Sequence, residues 1–215
     1  MTILLAGATG LVGSRVLGVA ARLARRVVPV GRRATGMAGE VVADFAALPK
    51  LPRAGTAICA LGTTIRDAGG PDAFKAVDFD AVLAFSRAAQ AAGVRHFLLV
   101  SAVGANPGSP LLYNRTKGEI ETALATMGFD RLDILQPGLI LGPRPKRRPV
   151  EAFLQWLAPT IDLFLPARFD HYGAVPATSI AAALIALAGQ SAPGVYRHHN
   201  RDIVARALDL YVNVN

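Results

Sequence analysis

Short apolar segments alternate along the chain with stretches of helical periodicity, and no other feature restricts the fold as much. The apolar segments lie at Thr2–Ala6, Val27–Val30, Glu40–Ala43, Thr56–Ala60, His96–Ser101 and Leu132–Leu135. The helical periodicity follows Gly10 and recurs at Pro71–Gly93 and Leu111–Met127. Parallel strands that are joined through helices are buried on both faces and therefore read as continuous apolar runs. This pattern predicts an α/β fold with a doubly wound parallel sheet.

The last third of the chain differs in composition from the segments before it. Residues 143–149 are rich in proline and basic residues, and the only tryptophan, Trp156, follows them. Further on, helical periodicity at Ile180–Ala188 precedes a short apolar segment at Val195–Arg197. No stretch between these segments is long enough to separate a second domain. We therefore expect one domain over residues 1–215, in which residues 138–215 contribute a small C-terminal lobe.

Composition limits the partners of such a domain. The 215 residues are 52% hydrophobic and 18% charged, which suits one folded core, and 23 basic residues against 15 acidic ones give a net charge of +8. This charge favours an anionic partner: a phosphate-bearing cofactor, nucleic acid or a membrane surface. The single cysteine, Cys59, excludes a disulfide framework within the chain. No apolar run reaches the roughly 20 residues that span a bilayer, and the N-terminal sequence does not resemble a signal peptide, so we expect a cytoplasmic protein.

Three glycines lie where the first strand meets the first helix. Gly7, Gly10 and Gly13 belong to the segment Gly-Ala-Thr-Gly-Leu-Val-Gly. Glycine permits a tight turn and the close approach of a pyrophosphate, while the N-terminus of the helix supplies N–H donors and a partial positive charge. The spacing therefore favours a dinucleotide site, and the alternative is a strand-to-helix turn without a ligand.

Two arginines, Arg32 and Arg33, follow the second strand, where an NAD site usually offers a carboxylate to the ribose 2′-hydroxyl. Guanidinium groups suit a 2′-phosphate, which a carboxylate would repel. We therefore predict that the cofactor is NADP(H) in preference to NAD(H); a solvated arginine pair is the alternative, more so for Arg33. Leu61 and Gly62 follow the fourth strand, at the edge where open parallel sheets bind ligands.

A tyrosine and a lysine, Tyr113 and Lys117, lie four residues apart on the helix predicted at Leu111–Met127. This spacing places them on one helix face, about one turn apart. A nearby ammonium lowers the pKa of a phenol from about 10 toward the working range, which makes the phenol a usable proton donor and acceptor. Taken alone, the spacing is also that of an ordinary pair on a helix surface.

Together these motifs resemble those of the short-chain dehydrogenase/reductases, in which a glycine-rich turn is combined with Tyr-x-x-x-Lys. The resemblance is closer to the atypical branch typified by the Tat-interacting-protein oxidoreductases, and it runs through most of the chain. The matching segments are Gly31–Arg33, Ala60–Thr64, Phe74–Asp78, Tyr113–Glu121, Phe129–Arg131, Pro137–Gly138 and Arg148–Pro149. The resemblance implies a Rossmann-like fold that binds a nicotinamide cofactor.

The resemblance also implies roles for individual residues. The residues along the cofactor would be Thr9, Gly10, Leu11, Val12, Arg32, Arg33, Leu61, Gly62, Ile140 and Arg148. Tyr113 would be the catalytic acid/base, Lys117 its activator, and Ser101 the hydroxyl that orients the substrate. The sequence departs from the family at two positions: Ala102 stands where relatives often carry a second hydroxyl, and Asp78 stands where many carry an asparagine that supports the lysine through water.

These assignments predict a reductase of the short-chain type that transfers hydride from NADP(H) to a small carbonyl or quinone-like substrate. The alternative is a non-catalytic NADP(H)-binding sensor or scaffold that regulates a protein partner. Nucleic-acid binding is disfavoured because the arginines are scattered and no aromatic platform accompanies them. The four histidines show no spacing that predicts a metal site, and a surface position is expected for the pair His198-His199. By the resemblance, the two long helices could form a homodimer.

Overall fold

The computed structural model describes residues 2–143 and 173–212 and confirms the predicted α/β architecture. The strands are β1 (Thr2–Ala6), β2 (Arg26–Gly31), β3 (Val41–Val42), β4 (Thr56–Cys59), β5 (His96–Val100), β6 (Arg131–Leu135), β7 (Leu139–Leu141), β8 (Ala174–Pro176) and β9 (Gly194–His198). Seven of them form one parallel sheet in the order β3-β2-β1-β4-β5-β6-β9, and β7 pairs with β8 separately. The strands predicted from the sequence agree with the observed ends to within one residue.

Helices cover both faces of this sheet. They are α1 (Leu11–Arg22), α2 (Ile65–Ala68), α3 (Pro71–Lys75), α4 (Val82–Ala91), α5 (Leu112–Ala125), α6 (Ala177–Leu187) and α7 (Asn200–Val212). Leu5 of β1 belongs to the core that α1, α6 and α7 line, whereas its neighbour Leu4 belongs to the core lined by α4 and α5. A π-helical stretch, Ala76–Ala81, joins α3 to α4 without a break, so the helix predicted at Pro71–Gly93 contains a bulge.

The direction of winding reverses at β1. This strand pairs in parallel with β2 on one side and with β4 on the other. In doubly wound sheets the connections leave such a pair on opposite sides, so a crevice opens at the carboxyl ends of β1 and β4. The glycine turn after β1 and the segment Ala60–Thr64 after β4 both lie at this crevice.

In the C-terminal part of the chain, β9 joins the main sheet, while the small lobe expected for residues 138–215 stays a prediction. β9 pairs with β6 along its whole length and covers an edge that β6 would otherwise leave open. The alanines Ala181–Ala183 of α6 are fully buried, because small side chains allow this helix to pack closely in the core that α1 lines. Of the strands in the described ranges, only β7 and β8 lie outside the main sheet.

The basic run with Arg148, as well as Trp156, lies outside the described residues. Within the described ranges, no helix combines the length and the apolar character that a bilayer crossing requires. Cys59 is fully buried on β4, as expected for a core side chain, and burial raises the pKa of its thiol to about 12.

Candidate active site

The glycine turn between β1 and α1 is too tight for side chains. Gly7 has a φ of +82°, and a Cβ atom there would lie 2.5 Å from the carbonyl oxygen of Ala60. A Cβ atom on Gly13 would lie 2.1 Å from the carbonyl oxygen of Gly7. The Gly10 N–H closes the turn by donating to the Gly7 carbonyl over 2.9 Å. Close packing of backbone on backbone therefore requires glycine at positions 7 and 13 and leaves the turn free of side chains.

The N-terminus of α1 is open at this turn. Its N-cap is Gly10, which offers no side chain to the first N–H groups, and the first turn carries no acidic residue. Thr9 and Gly10 are exposed, whereas Val12 and Gly13 are buried beneath them. The N–H groups at the start of α1 thus meet the requirements of a pyrophosphate: free donors, a favourable helix dipole and no competing carboxylate.

The loop after β2 presents Arg32 and Arg33 to solvent. Among the described residues, neither guanidinium group has a carboxylate within ion-pair distance. The sequence offers no carboxylate at the end of β2 itself, so the feature typical of NAD sites is missing there. Both arginines therefore have their donors available for an anion.

A buried ion pair, Lys117 with Asp78, lies beside the loop that follows β4. Lys117 Nζ is 2.7 Å from Asp78 Oδ1, and the two side chains are 4% and 0% exposed. Asp78 Oδ2 accepts a hydrogen bond of 2.8 Å from the Thr63 N–H, which attaches the pair to the loop. Burial on its own would lower the pKa of Lys117, but the Asp78 carboxylate and, after it, Tyr113 raise that pKa above its usual value. Lys117 is therefore held in place as a cation.

The carboxylate of this pair comes from the π-helical stretch Ala76–Ala81. Asp78 lies within it, opposite Lys117 on α5. In the sequence, this aspartate stands where many family members carry an asparagine that supports the lysine through water. In the structure the aspartate contacts the lysine itself, so Lys117 does not lack support.

Tyr113 lies one helical turn before Lys117, at the start of α5. Its ring is half-buried and packs against Phe74, with the ring centroids 5.6 Å apart. Gly62 lies beside the same group, because a Cβ atom on it would be 3.8 Å from Lys117 Nζ. Tyr113, Lys117 and Gly62 thus all lie at the carboxyl edge of the sheet.

Ser101 follows β5 at the same edge, but its hydroxyl faces a buried carboxylate. The Ser101 Oγ donates to Glu121 Oε1 over 2.5 Å, and Gln136 Nε2 donates to both carboxylate oxygens over 2.9 and 3.0 Å. Arg197 Nε lies 3.5 Å from Glu121 Oε2 at the half-exposed end of this network. The only hydrogen of the Ser101 hydroxyl is therefore engaged, and the group offers a substrate its lone pairs unless it rotates.

The strand β7, which carries Ile140, passes close to the glycine turn. A Cβ atom on Gly142 would lie 2.8 Å from the Leu11 side chain. Ile140 itself is half-buried on β7 and packs against the core that α1 lines. The role implied for Ile140 at the nicotinamide end of the cofactor stays a prediction, and its proposed companion Arg148 lies outside the described residues.

A second polar cluster was missed by the sequence analysis, and it lies within the sheet. Asp133 on β6 accepts hydrogen bonds from His96 Nε2 (2.6 Å), His198 Nε2 (2.7 Å) and Arg131 Nε (2.6 Å). Burial opposes the ionisation of Asp133, yet the bonds from His198, His96 and Arg131 hold its pKa well below the usual range. The expectation of a surface position for the pair His198-His199 is therefore wrong for His198, which is buried because β9 joins the sheet.

The chain is similar to curated proteins over most of its length. It is 37% identical to a protein of Debaryomyces hansenii named "Protein FMP52, mitochondrial" over 169 residues, which cover 73% of this chain and 75% of that protein. It is 34% identical to "Protein HTATIP2" of Rattus norvegicus over 179 residues, which cover 81% of this chain and 72% of that protein. A comparison with protein-family models found no match.

The names of several relatives contradict the predicted cytoplasmic location. Related proteins of Aspergillus fumigatus and Candida albicans, 38% and 33% identical, are also named as mitochondrial FMP52 proteins. The prediction rested on the lack of a recognisable signal at the N-terminus, and the relatives show that this reasoning is insufficient.

Solved structures share the fold at low sequence identity. The structure of MoeE5 in complex with UDP-glucose and NAD superimposes with a TM-score of 0.69 at 19% identity, covering 98% of this chain and 82% of that one. The human epimerase family protein SDR39U1 with NADPH gives a TM-score of 0.68 at 17% identity, covering 93% and 74%. From the fold, the site geometry and the relatives together, the chain belongs to the HTATIP2/FMP52 family, an atypical branch of the short-chain dehydrogenase/reductases with a Rossmann fold.

Proposed function

We propose that the protein is an NADP(H)-dependent reductase that acts on a small carbonyl or quinone-like substrate. The observation that carries the proposal is that Tyr113 lies one helical turn before Lys117, which is fixed in a buried pair with Asp78. Both lie at the edge of the sheet where the glycine turn leaves N–H donors open. A phenol next to a fixed ammonium is suited to proton transfer. An ion pair with only a structural role would not require a phenol one helical turn away.

The preference for NADP(H) over NAD(H) rests on Arg32 and Arg33. Both side chains are exposed after β2, and no carboxylate among the described residues neutralises them. A 2′-phosphate would receive paired, charge-assisted hydrogen bonds from such groups. An NAD site at the same position usually has an acidic residue instead.

The residues of the site have separate tasks in reduction. When bound, a reduced nicotinamide supplies the hydride that adds to the carbonyl carbon. Tyr113 would donate its proton to the carbonyl oxygen, so that hydride and proton together convert the C=O group to an alcohol. Lys117 stabilises the negative charge that develops on the Tyr113 oxygen, and its ammonium can also donate hydrogen bonds to the cofactor's ribose.

The proposal is tested with NADPH oxidation by the wild type and Tyr113→Phe across a panel of carbonyl compounds and quinones. We expect the variant to lose about 100- to 10,000-fold in turnover, which is the usual contribution of a general acid, and to bind NADPH as before. Tyr211→Phe on α7 removes a phenol outside the site and serves as the control. Full turnover by Tyr113→Phe would refute the role of the tyrosine.

A second candidate is a non-catalytic NADP(H)-binding sensor or scaffold. One observation favours it: the Ser101 hydrogen is engaged by Glu121, and Ala102 adds no second hydroxyl. In that case NADPH would bind tightly and protect the fold from unfolding, while no member of the panel would be reduced. Dimerisation through α4 and α5 stays a prediction, as does the exclusion of nucleic acid.

A further inference from the structure

The loop between β2 and β3 carries more than the two arginines. We propose that Glu40 is a positioning residue for cofactor choice: its carboxylate folds residues 35–40 into a closed turn that fixes Arg32 and Arg33 for a 2′-phosphate. The inference rests on the proposed preference for NADP(H) and adds a residue that is not itself in contact with the cofactor.

Three donors from the start of the turn converge on this carboxylate. Glu40 Oε2 accepts from the Thr35 N–H over 2.5 Å and from the Thr35 Oγ1 over 2.6 Å. Glu40 Oε1 accepts from the Gly36 N–H over 3.1 Å, and the Glu40 N–H donates to the Met37 carbonyl over 3.2 Å. Gly36 and Gly39 have φ angles of +82° and +79°, which the turn requires and which side chains disfavour.

The two ends of the loop are fixed to the sheet. The strand β2 ends at Gly31, directly before Arg32, and Gly31 pairs with Val42, the second residue of β3. The Ala43 N–H also donates to the Gly31 carbonyl over 2.9 Å. Glu40 immediately precedes β3. With residues 35–40 closed on themselves, only residues 32–34 lie between the end of β2 and the turn. The arginines therefore lose little backbone freedom on binding, which lowers the entropic cost of ordering them around a phosphate.

The same contacts keep the carboxylate away from the arginines. The side-chain hydrogen bond from Thr35, followed by the bond from its N–H, holds the pKa of Glu40 below the usual value, so the group is ionised. Its charge is compensated by donors of its own turn. An acidic side chain in direct contact with Arg32 or Arg33 would instead compete with the phosphate.

Charge and positioning predict opposite effects for Glu40→Ala. Were Glu40 only a nearby negative charge, its removal would strengthen NADPH binding by reducing repulsion. If it positions the arginines, its removal weakens NADPH binding by roughly tenfold and leaves NADH binding within about twofold, because NADH has no 2′-phosphate. Thr35→Val removes one donor without a change of charge and should weaken NADPH binding in the same direction, by about threefold.

The experiment is a titration of each protein with NADPH and with NADH, read as the ratio of the two dissociation constants. Asp209→Ala on α7 removes one negative charge elsewhere and should leave the ratio unchanged. A wild type that binds both cofactors equally would overturn the NADP(H) preference and this inference with it. A wild type that prefers NADPH, with an unchanged or increased preference in Glu40→Ala and Thr35→Val, would overturn the role of Glu40 alone.

Discussion

Asp78 and Asp133 are both fully buried carboxylates, but they differ in the number of hydrogen-bond donors around them. Asp133 receives hydrogen bonds from two histidines and from two nitrogens of Arg131, so its acceptor capacity is used within the sheet. Asp78 has one ammonium and one backbone N–H, and its partner Lys117 lies next to Tyr113 at the open edge. A buried carboxylate whose hydrogen-bond acceptors are all used joins neighbouring strands to one another. A buried ion pair with fewer hydrogen bonds, placed at a crevice, holds a charged group where a ligand can bind.

Loss of the Asp133 carboxylate should have the largest effect. Asp133→Ala leaves Arg131 and two histidines in the sheet without their acceptor, and removing one partner of a buried ionic group usually costs about 3–5 kcal/mol of unfolding free energy. Chemical denaturation measures this change, and Asp133→Asn provides a milder variant if the alanine protein does not fold.

The matched control for this variant is Asp130→Ala. Asp130 lies directly before β6 and pairs with Arg95 over 2.6 Å, but the two side chains are 47% and 74% exposed. Solvent weakens such a pair, so its loss should change stability little. Equal losses for Asp130→Ala and Asp133→Ala would show that the buried cluster has no special structural role.

Asp78→Asn should have a smaller effect on stability, about 1.5–3 kcal/mol, as for the loss of one hydrogen bond to a charged group. The variant leaves the buried Lys117 without its carboxylate, so the pKa of Lys117 should fall because the largest effect that opposes burial is removed. A double-mutant cycle with Lys117→Met isolates the pair. The double variant should be more stable than the sum of the single losses predicts, and additive losses would mean that the two side chains do not interact.

The smallest expected effect is a difference in pH dependence between the two groups. The folded-state pKa of Asp133 is lowered, so its contribution is present above the unfolded value of about 3.9 and is lost as the pH falls below it. The folded-state pKa of Lys117 is raised, so its contribution is present below about 10.4 and is lost as the pH rises through the folded value. Stability measured over pH should therefore depend less on acid in Asp133→Asn and less on alkali in Lys117→Met than in the wild type.

Local sequence patterns were sufficient to predict the strands of the main sheet, the glycine turn and the position of Tyr113 one helical turn before Lys117. Each of these depends on residues within one strand, one turn or one helix. The contact between Asp78 and Lys117 joins a π-helical stretch to α5, and neither the stretch nor the contact leaves a signal in the hydrophobic period.

Contacts between distant strands were not predictable in this way. Asp133 meets His96 and His198, which are 37 and 65 residues away, only because β5, β6 and β9 are neighbours in the sheet. β9 itself was expected in a lobe, because the sequence after Pro137 becomes rich in proline and basic residues, whereas the structure pairs this strand with β6. The engagement of Ser101 by Glu121, 20 residues later, likewise required the packing of α5 on β5 and β6.

NADPH affinity in Asp78→Asn and Asp133→Asn distinguishes the two clusters most directly. Both substitutions exchange one buried carboxylate for an amide of the same shape. If the crevice edge is the cofactor site, Asp78→Asn should weaken NADPH binding by about tenfold or more because Lys117 is no longer held, while folded Asp133→Asn should stay within about twofold of the wild type. Equal affinities in the two variants, or a greater loss in Asp133→Asn, would contradict the assignment of the site.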